Sequence, residues 1–346
     1  MASLRKITVA KDGSGQHRTI QEAVDSIPRE SAGRVVIEVK AGEYREKLVI
    51  DRPDVSLIGE GADRTTVVWG DYARKAFPSG EPYYTFHSYT ALIGGDGFVC
   101  EGVSFVNDAG PGELVGQAIA AYVDGDRVRF RNCRFVGWQD TLFTGPLPPN
   151  PLDRSTFGGP REGQPLRPSR QYYEECCITG DIDFVFGSAT AVFERCELRS
   201  RGGEQPPKEA GGAAYGWVTA ASTPQGAEHG YVFLRCRLTA DAQVPAGSVH
   251  LGRPWRDYAK TAFVLCELGT HIARAGWQDW NGRGEAGGVA YEEFGNEGAG
   301  AAAAAAGERT SWSRRLTEAE AERLSADDVL AGSDGWRPSA EGGEVR

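Results

Sequence analysis

The chain is predicted to be all-β, a parallel β-helix of short strands wound into stacked coils, and three observations predict it. Cys133, Cys176, Cys196, Cys236 and Cys266 recur in one frame, each three residues after an aromatic and two before an apolar residue: FRNCRF, YEECCI, FERCEL, FLRCRL and FVLCEL. Within each unit the apolar positions alternate with period two, as in Val128 and Phe130 or Ala191 and Phe193, and then slip by one residue at the cysteine. Alternation is the signature of a strand, and a slip at the same place in every copy marks a bend or bulge between two strands. No helical periodicity intervenes, so each coil can bury its inward face only against the coils above and below it. The gaps between the cysteines, 43, 20, 40 and 30 residues, are too irregular for a helical array and fit short coils interrupted by loops.

The elements follow in order. HRTIQEAVDSIP carries Ile20, Ala23, Val24 and Ile27 at helical spacing, so a short helix is expected to cap one end of the solenoid, where an open coil would expose edge backbone and core. The repeated cysteines are expected to stack inside as free thiols rather than as disulfides, which the odd total of seven also favours; the pair Cys176-Cys177 leaves one thiol of undetermined direction. Residues 144–170 hold seven prolines and four glycines and are expected to be an insertion loop without regular structure. GAGAAAAAAGE, 298–308, is expected to be a surface loop, LTEAEAERLSADDVL to be helical, and GWRP to pack back before a disordered tail, 339–346. Residues 1–338 thus form one predicted domain.

Composition excludes several functions. A formal net charge of −10 argues against nucleic acid or an anionic membrane surface as a partner, and no apolar run reaches the length of a membrane span. No serine sits in a G-x-S-x-G elbow, and the five histidines, His17, His87, His229, His250 and His271, lack ligand spacing. Carboxylates remain. Asp140 lies in GWQDTLF and Asp183 in GDIDFVFGSA, each flanked by apolar residues in strand-like sequence. Such a carboxylate must be paired, hydrogen-bonded or set in a cleft. With the insertion discounted, the two fall one coil apart and could be neighbours on one face.

Three ordered blocks, GQAIAAYVDGDRVRFRNCRFVGWQDTLF, GDIDFVFGSATAVFERCEL and LGRPWRDYAKTAFVLCELG followed by AGWQDWN, resemble the signature blocks of the pectin methylesterases, as do ITVAKDGSGQHRTIQEAVDSIP and YTFHSYT. The resemblance covers most of residues 6–337 and implies a right-handed parallel β-helix that hydrolyses galacturonate methyl esters in pectin or its oligomers to methanol and free carboxylates. It also implies Asp183 as nucleophile, Asp140 as general acid/base, Gln117 and Gln139 as oxyanion-hole amides, Arg253 as the arginine that holds the nucleophile, and Trp255, Trp277, Thr85 and Phe184 as substrate contacts. The chemistry is coherent. A guanidinium favours the ionised nucleophile and aims it. Two neutral amide donors stabilise an oxyanion without competing for the nucleophile's charge. Methoxide leaves poorly, so Asp140 must give it a proton and later take one from water. No metal or organic cofactor is required.

The acidic balance would favour neutral methylated substrate and release of anionic product. Residues 144–170 depart from the plant members of the family, and Ser188 stands in FGSA where Asn is common. Two other classes are weighed: a pectin-cleaving β-helix glycosidase or lyase, which needs a different constellation, and an inactive carbohydrate-binding solenoid, which should have lost Asp140, Asp183 or Arg253. The start, MASLRKITVAKDG, enters a strand with no apolar stretch of signal-peptide length. That predicts a cytoplasmic protein acting on imported methylated oligogalacturonides, the alternative being a secreted enzyme whose leader has been removed; separately, a monomer is expected.

Overall fold

Each repeat unit folds as two strands meeting at a corner, and the corner explains the slip in alternation. Asn132, Glu175, Arg195, Arg235 and Leu265 stand at the same place in successive coils, with φ of 51°, 53°, 52°, 52° and 56°. A residue in this left-handed region turns the chain sharply, and the cysteine that follows then points inward. The computed structural model describes residues 5–28, 33–152, 154–203 and 214–339.

Repetition of the corner builds three parallel sheets. One coil runs through Val128–Arg131, Arg134–Val136 and Leu142–Thr144, and each of these strands pairs in parallel with its counterpart in the next coil, Arg170–Glu174, Cys177–Gly180 and Val185–Gly187. The sheets contain eleven, eight and seven strands among the described residues, and adjacent strands in each belong to successive coils. Side chains at equivalent positions therefore stack. Phe130, Tyr173, Phe193, Phe233 and Phe263 form an inner column of nearly parallel rings with centroid spacings of 5.2, 4.6, 4.6 and 4.4 Å. Such contacts add directional preference to the burial energy. Beside them run the expected thiols: Cys176 lies between Cys133 and Cys196, and Cys236 between Cys196 and Cys266. All seven cysteines are free, and Cys177 alone lies outside the core, half-buried on the outer face of the eight-stranded sheet.

The helix Ile20–Asp25 closes the first end, held by a reciprocal Thr19/Glu22 cap and burying Ile20, Ala23 and Val24. At the other end the Ala-rich segment differs from the expected surface loop. Ala299–Ala301 and Ala302–Ala305 are helical turns, and Gly300, Ala301 and Ala303 are buried. Alanines this small let a helical turn lie flat against the last coil, with Gly300 facing Leu268 and Ile272. The C-terminal segment folds back as the helices Glu318–Ala321 and Ala326–Leu330. Its Leu316, Leu324, Val329, Leu330 and Trp336 cover Tyr172, Val192, Val232 and Val264 on the outside of the eleven-stranded sheet. Of the predicted tail, Ser339 is ordered against Asp327, its hydroxyl donating at 2.6 Å; residues 340–346 lie outside the described residues.

Candidate active site

The chain reaches the seven-stranded sheet through a turn, and both notable carboxylates stand in that turn. Asp140 and Asp183 have φ of 64° and 49°. Aspartate tolerates this conformation better than most residues. Leu142 pairs with Val185, so Asp140 and Asp183 occupy equivalent positions one coil apart, and the Asp140 N–H donates to the Ile182 carbonyl at 3.0 Å. Neighbouring strands are about 4.8 Å apart, which makes the two carboxylates neighbours on the outer face.

Asp183 is chelated. Arg253 donates from Nε to Oδ1 at 2.9 Å and from Nη2 to Oδ2 at 2.6 Å. Val185–Gly187 pairs with Gly216–Ala221, which pairs with Val249–Pro254, so Arg253 reaches Asp183 from two coils away. Its guanidinium lies between the rings of Trp217 and Trp280, 3.9 and 4.1 Å from their centres. Gln139 is buried beside Asp140, and its carbonyl accepts the Ala118 N–H at 3.1 Å, which brings the segment carrying the half-buried Gln117 alongside. The short turn Gly112–Val115 closes over Gln139. A Cβ on Gly112 would stand 2.7 Å from Gln139 Oε1, so only glycine allows this approach.

Two further features frame the pair. Phe143 and Phe186, outward on the strands that follow Asp140 and Asp183, pack with Phe86, Tyr122 and Phe157, and Trp255 rests on Phe157 and Phe186. Phe157 and the buried Leu147 bring the Pro-rich insertion onto this aromatic patch. Arg161 ties the insertion to Asp51 and Asp124, and Arg167 ties it to Asp96. On the opposite side is a small cleft lined by Trp138, Asp181, Ile182 and Tyr215. Burial pushes the Asp181 carboxyl up to about 6; the negative Asp183 adds to this, while the Ile182 N–H and Arg201 oppose it.

The structure thus brings together Asp140, Asp183, Gln139, Gln117 and Arg253, with Trp255 at the margin. Two of the other three expected contacts, Trp277 and Phe184, point into the core instead. Trp277 is 1% exposed and sits inside the solenoid against Phe263 and Tyr291. Phe184 is fully buried in the same core, because the left-handed turn at Asp183 sends the next side chain inward. Thr85 lies in the turn Thr85–His87, next to Phe86 of the aromatic patch. Conversely, Trp217, Trp280 and Asp181 escaped the sequence reading. Trp280 was within reach, since it is the second tryptophan of the quoted stretch AGWQDWN.

A family model described as Pectinesterase matches residues 6–146 and 162–333. The chain belongs to the pectinesterase family. The break in the match falls inside the Pro-rich insertion. Pectinesterase 31 of Arabidopsis thaliana is 30% identical over 332 residues, covering 93% of this chain and 90% of that protein. The probable pectinesterase/pectinesterase inhibitor 6 of the same plant is 34% identical over 94% of this chain, which spans 52% of that longer relative. Among solved structures, the carrot pectin methylesterase is 29% identical with a TM-score of 0.78, covering 96% of this chain and 95% of that one. The Erwinia chrysanthemi pectin methylesterase PemA is 25% identical with a TM-score of 0.77, covering 98% and 99%. A pectin methylesterase in complex with a hexasaccharide is 27% identical, TM-score 0.78, covering 97% and 99%.

Proposed function

We propose that this pectinesterase removes methyl groups from esterified galacturonate through a covalent intermediate on Asp183, with Asp140 as the acid and then the base. The observation that carries the assignment is the two-point Arg253 chelate on Asp183, with Asp140 stacked one coil away. An arginine fork orients a carboxylate for attack, as a nucleophile must be oriented, and the proton transfers are assigned to Asp140, the carboxyl beside it.

An ionised oxygen of Asp183 attacks the ester carbonyl carbon, and the carbonyl electron pair moves onto oxygen. The side-chain amides of Gln117 and Gln139 donate to that oxyanion. Collapse expels the methoxy group as Asp140 gives it a proton, releasing methanol and leaving an acyl-Asp183 anhydride. Water then attacks the acyl carbon, Asp140 takes the proton, and a free galacturonate carboxylate departs with Asp183 restored. Trp255 offers an aromatic face for a sugar ring at the edge of the site. Methylated homogalacturonan and its oligomers are both substrates on this reading, and the protein acts as a monomer.

The roles are separable. Asp183→Asn should lower methanol release from methylated pectin by several orders of magnitude while substrate binding is largely kept. Asp140→Asn should also suppress release, but an activated aryl ester should regain its first step, since general acid help for a poor leaving group is worth about 10²–10⁴-fold and a phenolate needs none. Rescue of Asp183→Asn by the activated ester, and not of Asp140→Asn, would reverse the two assignments.

A further inference from the structure

The tetrapeptide Gly-Trp-Gln-Asp occurs twice, at 137–140 and again at 276–279. Only the first copy places its amide and carboxylate at the reacting centre. The second uses each residue differently. Trp277 is driven into the core, its ring 5.8 Å from Phe263 and 4.7 Å from Tyr291. The Gln278 N–H donates to the Gly252 carbonyl at 3.0 Å, which pins the turn to the residue preceding Arg253. Gln278 Oε1 accepts the Trp217 Nε1–H at 2.6 Å. Asp279 accepts the N–H groups of Gly282 and Gly284 at 2.6 and 2.5 Å, closing the turn that displays Trp280.

Both rings that enclose the Arg253 guanidinium are therefore set by one short segment. Gln278 fixes Trp217, and Asp279 fixes the turn that carries Trp280. Trp217 is backed in turn by the His250 ring, 6.3 Å away and inclined by 13°. Burial, with Arg253 nearby, pushes His250 down to about 4, so the ring is neutral and leaves the guanidinium its cationic role. The need for such support is geometric. Arg253 must span two strand spacings, about 10 Å, and a long side chain with about 2 kcal/mol of rotamer entropy does not hold a two-point chelate over that distance unaided. Flat aromatic faces fix the plane of a guanidinium as well as its position.

We propose that the second Gly-Trp-Gln-Asp copy is a splint for Arg253, making Gln278, Trp217 and Trp280 positioning residues that aim the Asp183 carboxylate. The proposal rests on Asp183 as the nucleophile. Gln278→Leu removes the acceptor for Trp217 at a half-exposed position, and Trp217→Leu removes one plate, while Trp217→Phe keeps an aromatic face. Misplacing a reacting group by about an ångström costs up to about 10²-fold. In the full-length protein, Gln278→Leu and Trp217→Leu should each lower kcat for methanol release about 10- to 100-fold with KM changed less than about threefold, and Trp217→Phe should recover most of the loss.

The decisive measurement repeats Gln278→Leu and Trp217→Leu in an Arg253→Ala background. If they act through Arg253 they cost nothing further there, whereas a general structural role would multiply the losses. Multiplying losses, or an unchanged kcat in the Gln278→Leu single variant, would overturn the splint. Should Trp217→Leu fail to fold, the Gln278→Leu cycle decides alone. Asp183→Asn, measured alongside, keeps the two readings apart: if it retains methanol release the nucleophile assignment fails, and if it abolishes release while the cycle is additive only the splint fails.

Discussion

Replacing Asp181 by asparagine should stabilise the protein, by a gain that builds up as pH rises from about 4 to about 6 and is level above that. Asp181 is buried in the turn two residues before Asp183, and its Oδ1 accepts the Ile182 N–H at 2.7 Å, a bond that an asparagine oxygen can also accept. Burial holds its carboxyl at about 6 against an ordinary 3.8. A raised folded-state pKa means that the folded protein holds this proton more tightly than the unfolded chain. The associated stability is fully present below pH 3.8 and is lost as pH rises through 6. About two pH units at about 1.4 kcal/mol each give a cost of about 3 kcal/mol for folding with the ionised form at pH 8. Asparagine does not ionise, so its advantage should grow from near zero at pH 4 to about 3 kcal/mol at pH 8. With about 2.1 cal/mol/K of unfolding entropy per residue, a cooperative transition of the 346-residue chain would shift by about 4 °C. Paired urea or thermal melts of the two proteins at pH 4, 6 and 8 measure this. An equal gain at pH 4 and pH 8 would refute the reasoning, because it would come from packing or hydrogen bonding and not from ionisation. No gain at pH 8 would mean that the carboxylate is solvated.

Three other outcomes are expected. Gln139→Ala should lower kcat for methanol release by about 10²–10³-fold with little change in KM, as loss of one oxyanion donor does; a tenfold rise in KM at constant kcat would instead assign Gln139 to ground-state binding. Trp277→Ala should destabilise the fold by about 3–5 kcal/mol in urea melts, whereas Trp255→Ala should raise KM several-fold with an unchanged midpoint, and the reverse pattern would put Trp277 back in the groove. Replacing residues 148–160 with a short Gly-Ser linker should raise KM for long methylated pectin while sparing kcat on short oligomers, since Phe157 supports Trp255; unchanged kinetics on both substrates would make the insertion a bystander.

Much of the scaffold was legible in the sequence because stacking forces equivalent residues into equivalent surroundings. The aromatic and the cysteine of each unit betray the inner columns, and the slip between them betrays the left-handed corner. Asp140 and Asp183 could be paired across 43 residues once the proline-rich stretch was set aside. What could not be read was direction after an irregular turn. The two Gly-Trp-Gln-Asp copies are identical in sequence, yet Trp138 lies outside beneath Arg201 while Trp277 is in the core. Phe184 follows a carboxylate that faces outward and still points in, because the turn at Asp183 breaks the alternation on which the eye relies. The cover over Tyr172 and Val232 was equally hidden, since outward apolar residues do not say which distant segment will lie on them.

The place where the proline-rich segment leaves the coil has a consequence for how such an enzyme can change over generations. It departs after Thr144, at the hand-over from one coil to the next, and the chain re-enters at Arg170. The partners on either side remain in step: Val128 with Gln171, Arg134 with Cys177 and Leu142 with Val185 all lie 43 residues apart. Lengthening or exchanging that segment therefore alters what stands beside the groove while the spacing of the two aspartates stays fixed by backbone ladders that the segment never joins. Selection can try new neighbours for a sugar chain at this one corner without renegotiating the geometry of ester cleavage.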